Sequence, residues 1–302
     1  MTMNRRSFSR ISAALGLAAL LGRAREASSR VVDGASGIDA VSSPQNLEEM
    51  ESQHMKAMQK FGSFMAGPKL TIGLVVYPGM FLLDLVGPLT VFEALMNREI
   101  HLLWKDLNPV QSAGAGSIPV QPTTSFKDCP KNLDVLFVPG GVPGTFSMME
   151  DPEVINFLIE QGKSSKYITS VCTGSFILGA AGLLNGYRAT SYWSMIDTLR
   201  EFGVIPVRGR VVVDRNRITG GGVTAGMDFG LSIVAKLRSP EYAQAIQLYL
   251  EYDPAPPFNS GSPNKAPRRV KEFILAMSVS MNKMADAISV KLRKQFPARF
   301  GR

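Results

Sequence analysis

A doubly wound α/β domain, a mostly parallel sheet with helices on both faces, is the fold class that residues 68–253 predict. Three observations carry it. From Lys69 onward, short apolar runs alternate with helical stretches, which is the signature of strand–helix–strand units. The chain has 302 residues, 45% hydrophobic and 19% charged, ordinary values for a globular protein. One strand also runs straight into Cys172-Thr173-Gly174 and then into a helix, the geometry of a nucleophile elbow with cysteine in place of serine.

The elements follow in order. Leu70-Thr71-Ile72-Gly73-Leu74-Val75-Val76 reads as a buried strand, stopped by Tyr77-Pro78-Gly79. A helix over 83–96 is opened by Asp84 and carries Gly87-Pro88 in its early turns, where proline is tolerated if it falls in the first turn. Residues 101–104 form a second strand, and 118–122, with Pro119 and Pro122, an edge strand or hairpin, because proline cannot donate to a ladder. Residues 134–138 are the next strand, broken by Pro139-Gly140-Gly141. A helix over 153–162 leads into the strand 167–171, and 175–181 is the helix that follows the cysteine.

The run Gly220-Gly221-Gly222-Val223-Thr224-Ala225-Gly226 is not followed by Lys-Ser/Thr. It is therefore read as a tight connection feeding a helix over 227–237, and no nucleotide cofactor is implied. Helical spacing resumes over 241–251. Residues 254–302 are an extended Pro-rich arm and a Met-rich, basic helix over 267–296. That helix reads as a solvated flank or part of a dimer contact; its few Trp and Phe residues argue against attachment to a membrane surface.

Residues 1–27 read as a twin-arginine export signal: Asn4-Arg5-Arg6-Ser7-Phe8 precedes an apolar run over 11–22, too short to cross a bilayer as a permanent helix. The expectation is a periplasmic or otherwise exported protein that meets the membrane only through this signal and its export machinery. Residues 28–67 read as a flexible tether carrying one helix over 47–61.

Charge follows the same division. The formal net charge is +8, yet residues 1–30 hold six Arg against one Glu, and 264–302 hold ten Lys or Arg against two acidic residues. The body between them is net acidic, so a basic groove for nucleic acid is not expected. Two His and two Cys, Cys129 and Cys172, make no ligand spacing, so neither a metal site nor a disulfide framework is expected.

At Cys172 the helix N-terminus would favour thiolate over thiol, and Gly174 would let that helix approach the sheet. Taken alone, burial at an apolar strand end explains a cysteine equally well. The cysteine does not stand alone, however. Leu83-Asp84-Leu85-x-Gly87-Pro88, Val138-Pro139-Gly140-Gly141, Ser170-Val171-Cys172-Thr173-Gly174-Ser175 and 218–228, in that order, resemble the ThiJ/PfpI superfamily, and within it the isonitrile (isocyanide) hydratases. The stretches 101–105, 124–130 and 251–263 resemble those enzymes too, and the likeness covers roughly 69–263.

The resemblance implies a flavodoxin-like single domain, usually a homodimer, that acts on a small molecule without a cofactor. It makes Cys172 the nucleophile and Asp84 its acidic partner, and matches the backbone N–H groups of Gly141 and Thr173 to the family's anion-stabilising donors. Where the hydratases carry Thr-His-Trp, this chain reads Ser191-Tyr192-Trp193. With no imidazole there, amide hydrolysis loses its acid for the leaving amine, while Tyr192 and Trp193 are left as pocket walls. His101, within an apolar strand, reads as a core histidine. Two other readings stay open: a ligand-sensing domain, and a redox-protective protein whose Cys172 is oxidised, with a Cys129–Cys172 disulfide as a further possibility.

Overall fold

The computed structural model describes residues 44–65, 67–114 and 116–300. The export signal expected at 1–27, and residues 28–43 of the tether, lie outside them. The chain divides into two compact units, Met1–Lys69 and Leu70–Arg302. In the first, a helix α1 spans Pro44–Met65, longer at both ends than expected.

The second unit is built on a seven-stranded sheet. Its strands are β1 (Leu70–Val75), β2 (Arg98–Trp104), β5 (Thr124–Ser125), β6 (Val135–Val138), β7 (Tyr167–Val171), β10 (Val211–Asp214) and β11 (Arg217–Gly220), in the spatial order β10-β11-β7-β6-β1-β2-β5. Every pairing is parallel except β10 with β11. Leu70, Ile72, Leu74 and Val75 of β1 are all at most 2% exposed, because this central strand has neighbours on both sides and helices on both faces, so its apolar run is continuous rather than alternating.

The strand order, read outward from β1, sends right-handed crossovers to opposite faces. One layer holds α2 (Leu82–Glu93), α6 (Ala225–Leu237) and α7 (Pro240–Tyr249); the other holds α3 (Gly144–Glu150), α4 (Pro152–Gly162) and α5 (Gly174–Ala180). Local chemistry sets the starts of these helices. Asp151 caps α4 by accepting from Glu153 and Val154 N–H at 3.0 and 3.2 Å, with Pro152 in the first turn, and Ser239 with Pro240 does the same for α7, satisfying donors that have no helical partner.

Pro88 departs from expectation. It lies inside α2 rather than in its first turn, and it is buried where a Cβ on Gly226 would meet its Cδ at 2.9 Å; the ring seats α2 against α6. Several other elements went unread in the sequence, among them α3, the 3-10 helix Ile196–Phe202 and the antiparallel strand β10. The region 118–122 does form a hairpin, with β3 (Val110–Gln111) pairing antiparallel to β4 (Pro119–Val120).

The basic helix α8 spans Arg268–Gln295, is long and apolar enough to cross a membrane by composition, and yet is fastened to the body along its second half. Asn282 accepts from Ser194 Oγ at 3.2 Å, Asp286 bonds Thr198, and Arg293 pairs with Glu201 at 3.0 Å. At the β10 margin, the small ribbon of β8 (Arg188–Ala189) with β9 (Ile205–Pro206) lies alongside, Arg188 N–H donating to Asp214 Oδ2 at 2.8 Å. At the other margin, β5 contributes only two residues.

Candidate active site

The carboxyl ends of β11, β7, β6 and β1 lie side by side, so four loops converge above the sheet: 220–224, 172–173, 139–143 and 76–81. This is where open α/β sheets place their ligands. Cys172 stands between β7 and α5 with φ +55°, a left-handed backbone that a non-glycine residue adopts at a cost of about 1–3 kcal/mol. The surroundings hold it there. Its N–H donates to Gly221 O at 2.7 Å and Gly220 O at 3.1 Å, while its carbonyl accepts from Ser175 Oγ and Ser191 Oγ, each at 3.0 Å.

Asp84 is the third residue of α2 and does not cap it; Phe81 occupies the cap position without a side-chain bond. The carboxyl is fully buried instead and meets the Cys172 sulfur. Gly140 N–H donates to Oδ2 at 3.2 Å, and Oδ1 has no hydrogen-bond partner. Glycine at 140 permits this approach, since a Cβ there would stand 2.6 Å from Thr173 N and 2.8 Å from Asp84 Oδ2.

Burial raises the Asp84 carboxyl to about 7, outweighing the Cys172 and Gly140 hydrogen bonds that favour its anion. Burial, and then the negative charge of Asp84, push the Cys172 thiol well above its ordinary value, although Thr173 contributes both its N–H and its hydroxyl to the sulfur in the opposite sense. The expected standing thiolate is thus corrected: desolvation and a neighbouring carboxyl outweigh the end of a seven-residue helix.

The two expected backbone donors part company. Thr173 N–H faces the sulfur. Gly141 N–H, expected to face a developing anion, instead donates to Thr173 Oγ1 at 2.9 Å. Thr173 Oγ1 lies 2.8 Å from Thr145 Oγ1, which lies 3.3 Å from Tyr77 Oη, and Tyr77 donates to Pro139 O at 2.9 Å.

Tyr192 and Trp193 are half-buried, their ring centroids 6.1 Å apart. Tyr192 lies over Gly222, whose Cβ would meet its ring at 3.7 Å, and burial together with the Cys172 charge raises its phenol. His101 is three strands from β7, bonded to Thr124 at 2.8 Å. Cys129 and Cys172 are both free thiols, so no disulfide joins them. The sequence reading missed Ser175, Ser191, Thr145 and Tyr77. Ser175, three residues after the cysteine, could have been suspected as a local hydroxyl bond; the others act across 19 to 68 residues and leave no local signal.

A family model described as the DJ-1/PfpI family matches residues 71–236. An isonitrile hydratase of Pseudomonas putida is 47% identical over 230 residues, covering 76% of this chain and 96% of that protein. The transcriptional regulator GbdR of Pseudomonas aeruginosa is 30% identical over 190 residues, covering 61% of this chain and 51% of the regulator. Among solved structures, a ThiJ/PfpI family protein from Pseudomonas syringae superposes with a TM-score of 0.72 at 50% identity, over 75% of this chain and 92% of that one.

Proposed function

The chain belongs to the DJ-1/PfpI family, and on that premise we propose that it is a cysteine-dependent isonitrile hydratase, adding water to an isonitrile to give an N-substituted formamide. The observation that carries this reading is the buried Asp84 carboxyl, raised to about 7, against the Cys172 sulfur. An acid poised near neutrality both gives and takes protons efficiently.

The steps balance as follows. Cys172 Sγ attacks the terminal isonitrile carbon as its proton passes, by way of Asp84, to that carbon, giving a thioimidate. Water directed by Asp84 then adds to the same carbon, with one proton going to nitrogen. The C–S bond breaks, the remaining hydroxyl proton returns to sulfur, and the formamide leaves. No standing thiolate is needed, since the thiol ionises only as its proton finds a base, and Thr173 N–H supports the charge in transit. Tyr192 and Trp193 wall the entrance.

The test is formamide appearance from an aryl isonitrile, with the full chain beside Cys172→Ala and Asp84→Asn. Turnover that needs both side chains supports the proposal. An inactive native protein whose Cys172 is still rapidly alkylated overturns it in favour of the oxidisable-thiol reading.

The proposal extends to setting. Arg5-Arg6 and the apolar run after it support export by the twin-arginine route to the periplasm, tested by fusing residues 1–30 to a folded reporter. The exposed Val270, Phe273 and Met277 of α8 support a homodimer, tested by light scattering.

A further inference from the structure

A cavity lies away from the cysteine, where the end of α8 meets α3 and α4. Helix α3 gives way to α4 through the single residue Asp151, and α8 ends at Gln295 before a 3-10 turn, Pro297–Arg299. Between these helix ends stands a volume of about 530 Å³, within the roughly 300–1,000 Å³ of small-molecule sites. None of Cys172, Asp84, Thr173 or Tyr192 lines it.

The lining is of two kinds. Met149, Ile155 and Leu292, each at most 4% exposed, make it apolar, and the half-exposed Phe296 ring extends that surface. The charged side chains differ in their partners. Lys291 Nζ meets Glu150 Oε1 at 2.5 Å, so that pair cancels, whereas Arg299 meets no carboxylate among the described residues. Burial lowers the Arg299 guanidinium, and no opposite charge offsets it. The side chain is nonetheless fixed. Its Nη1 donates to Ala180 O at 3.0 Å, its guanidinium lies 4.3 Å from the Phe296 ring centroid, and its stem passes Gly182, where a Cβ would stand 2.8 Å from Cγ. A guanidinium carries five N–H donors, and among the described residues only the bond to Ala180 O engages one. A rigid fork with donors to spare is the group that grips a carboxylate through both oxygens.

We propose that this cavity binds a small amphipathic carboxylate, its apolar body against Met149, Ile155 and Leu292 and its oxygens on the remaining N–H groups of Arg299. Charge selects the sign of the occupant. Lys291 and Arg299 against Glu150 leave the lining at +1, so an anionic head supplies the missing counter-charge, a neutral head leaves the guanidinium unopposed, and a cationic head is repelled. The site is separate from isonitrile chemistry and does not rest on it.

The test is isothermal titration calorimetry of the full chain with 4-phenylbutyrate, beside 4-phenylbutanamide, which has the same apolar body and no charge. One 4-phenylbutyrate should bind per chain with a Kd of about 10⁻⁴ M, ordinary for a ligand of about a dozen heavy atoms, and the amide should bind about tenfold more weakly or worse. Arg299→Gln should cost the acid a similar factor and bring the two ligands level. Asn156→Trp places a large ring at an exposed lining position of α4 and should abolish binding of both. The proposal is overturned if the native chain shows no saturable binding, or binds acid and amide equally. It is overturned too if Asn156→Trp binds 4-phenylbutyrate as tightly as the native chain, which would put the ligand elsewhere. If Arg299→Gln does not fold, Asn156→Trp and the acid–amide comparison decide without it.

Discussion

Cys129 and Cys172 are the same side chain in two regions of one molecule, and both are free. Burial alone raises the Cys129 thiol to about 11, and its sulfur reaches only the carbonyl of the next residue, Pro130, at 3.5 Å. At Cys172 burial also raises the thiol, but an acid and two donors from Thr173 stand against the sulfur, and the backbone is held in a left-handed turn by four hydrogen bonds. Burial makes a thiol inert; what prepares one for chemistry is where its proton can go.

The sharpest way to break this comparison is to remove each sulfur. Cys172→Ala should lower isonitrile turnover by about 10³-fold or more, and Cys129→Ala should leave it within about twofold, both read from formamide formation. Equal losses would erase the distinction.

Asp84→Asn should come next, slowing turnover by about 10²–10⁴-fold, the usual range for a lost acid–base group. The same variant carries a stability prediction. The folded value of about 7 lies above the unfolded value near 4, so the folded protein holds a proton that the unfolded chain releases between those values. Native stability should therefore fall, by of order 2–4 kcal/mol, as pH rises from about 4 to about 7. In Asp84→Asn that part of the slope should vanish from urea midpoints measured across the range; an unchanged slope would mean the carboxyl is not held neutral.

Ser191→Ala gives the smallest effect. It deletes one of two hydroxyl bonds to the Cys172 carbonyl, worth about 1 kcal/mol of stability by urea titration. Turnover should drop severalfold, with KM nearly unchanged, because the elbow loosens while the pocket stays. A larger loss in KM than in kcat would place Ser191 in the pocket instead.

Much of this was legible because period and punctuation agreed. The strand 167–171 is apolar, ends at a small reactive residue and meets a helix of the right composition, and the structure returns Tyr167–Val171. Helix α3 was not legible, since Gly-Thr-Phe-Ser-Met-Met-Glu is too short to show a period and opens after Pro143 without a side-chain cap. Strand β10 hid for another reason: it is four residues long and pairs antiparallel with β11, outside the strand–helix alternation that marks the parallel strands. Within the site, Cys172 and Asp84 could be named from their motifs. The direction of the thiol's shift could not, because it depends on how deeply a carboxyl from the first turn of α2 is buried beside it.

The sheet's two margins have a consequence for how copies of the chain coexist. A sheet edge is a template onto which another chain can be copied, rung by rung. Here β5 offers a stub of two residues, and β10 is flanked by the β8 ribbon through Arg188 and Asp214. Although the interior strands are rich in Val, Ile and Leu, little unpaired ladder is presented outward. The protein can concentrate aliphatic strands around its cysteine without advertising them to its neighbours.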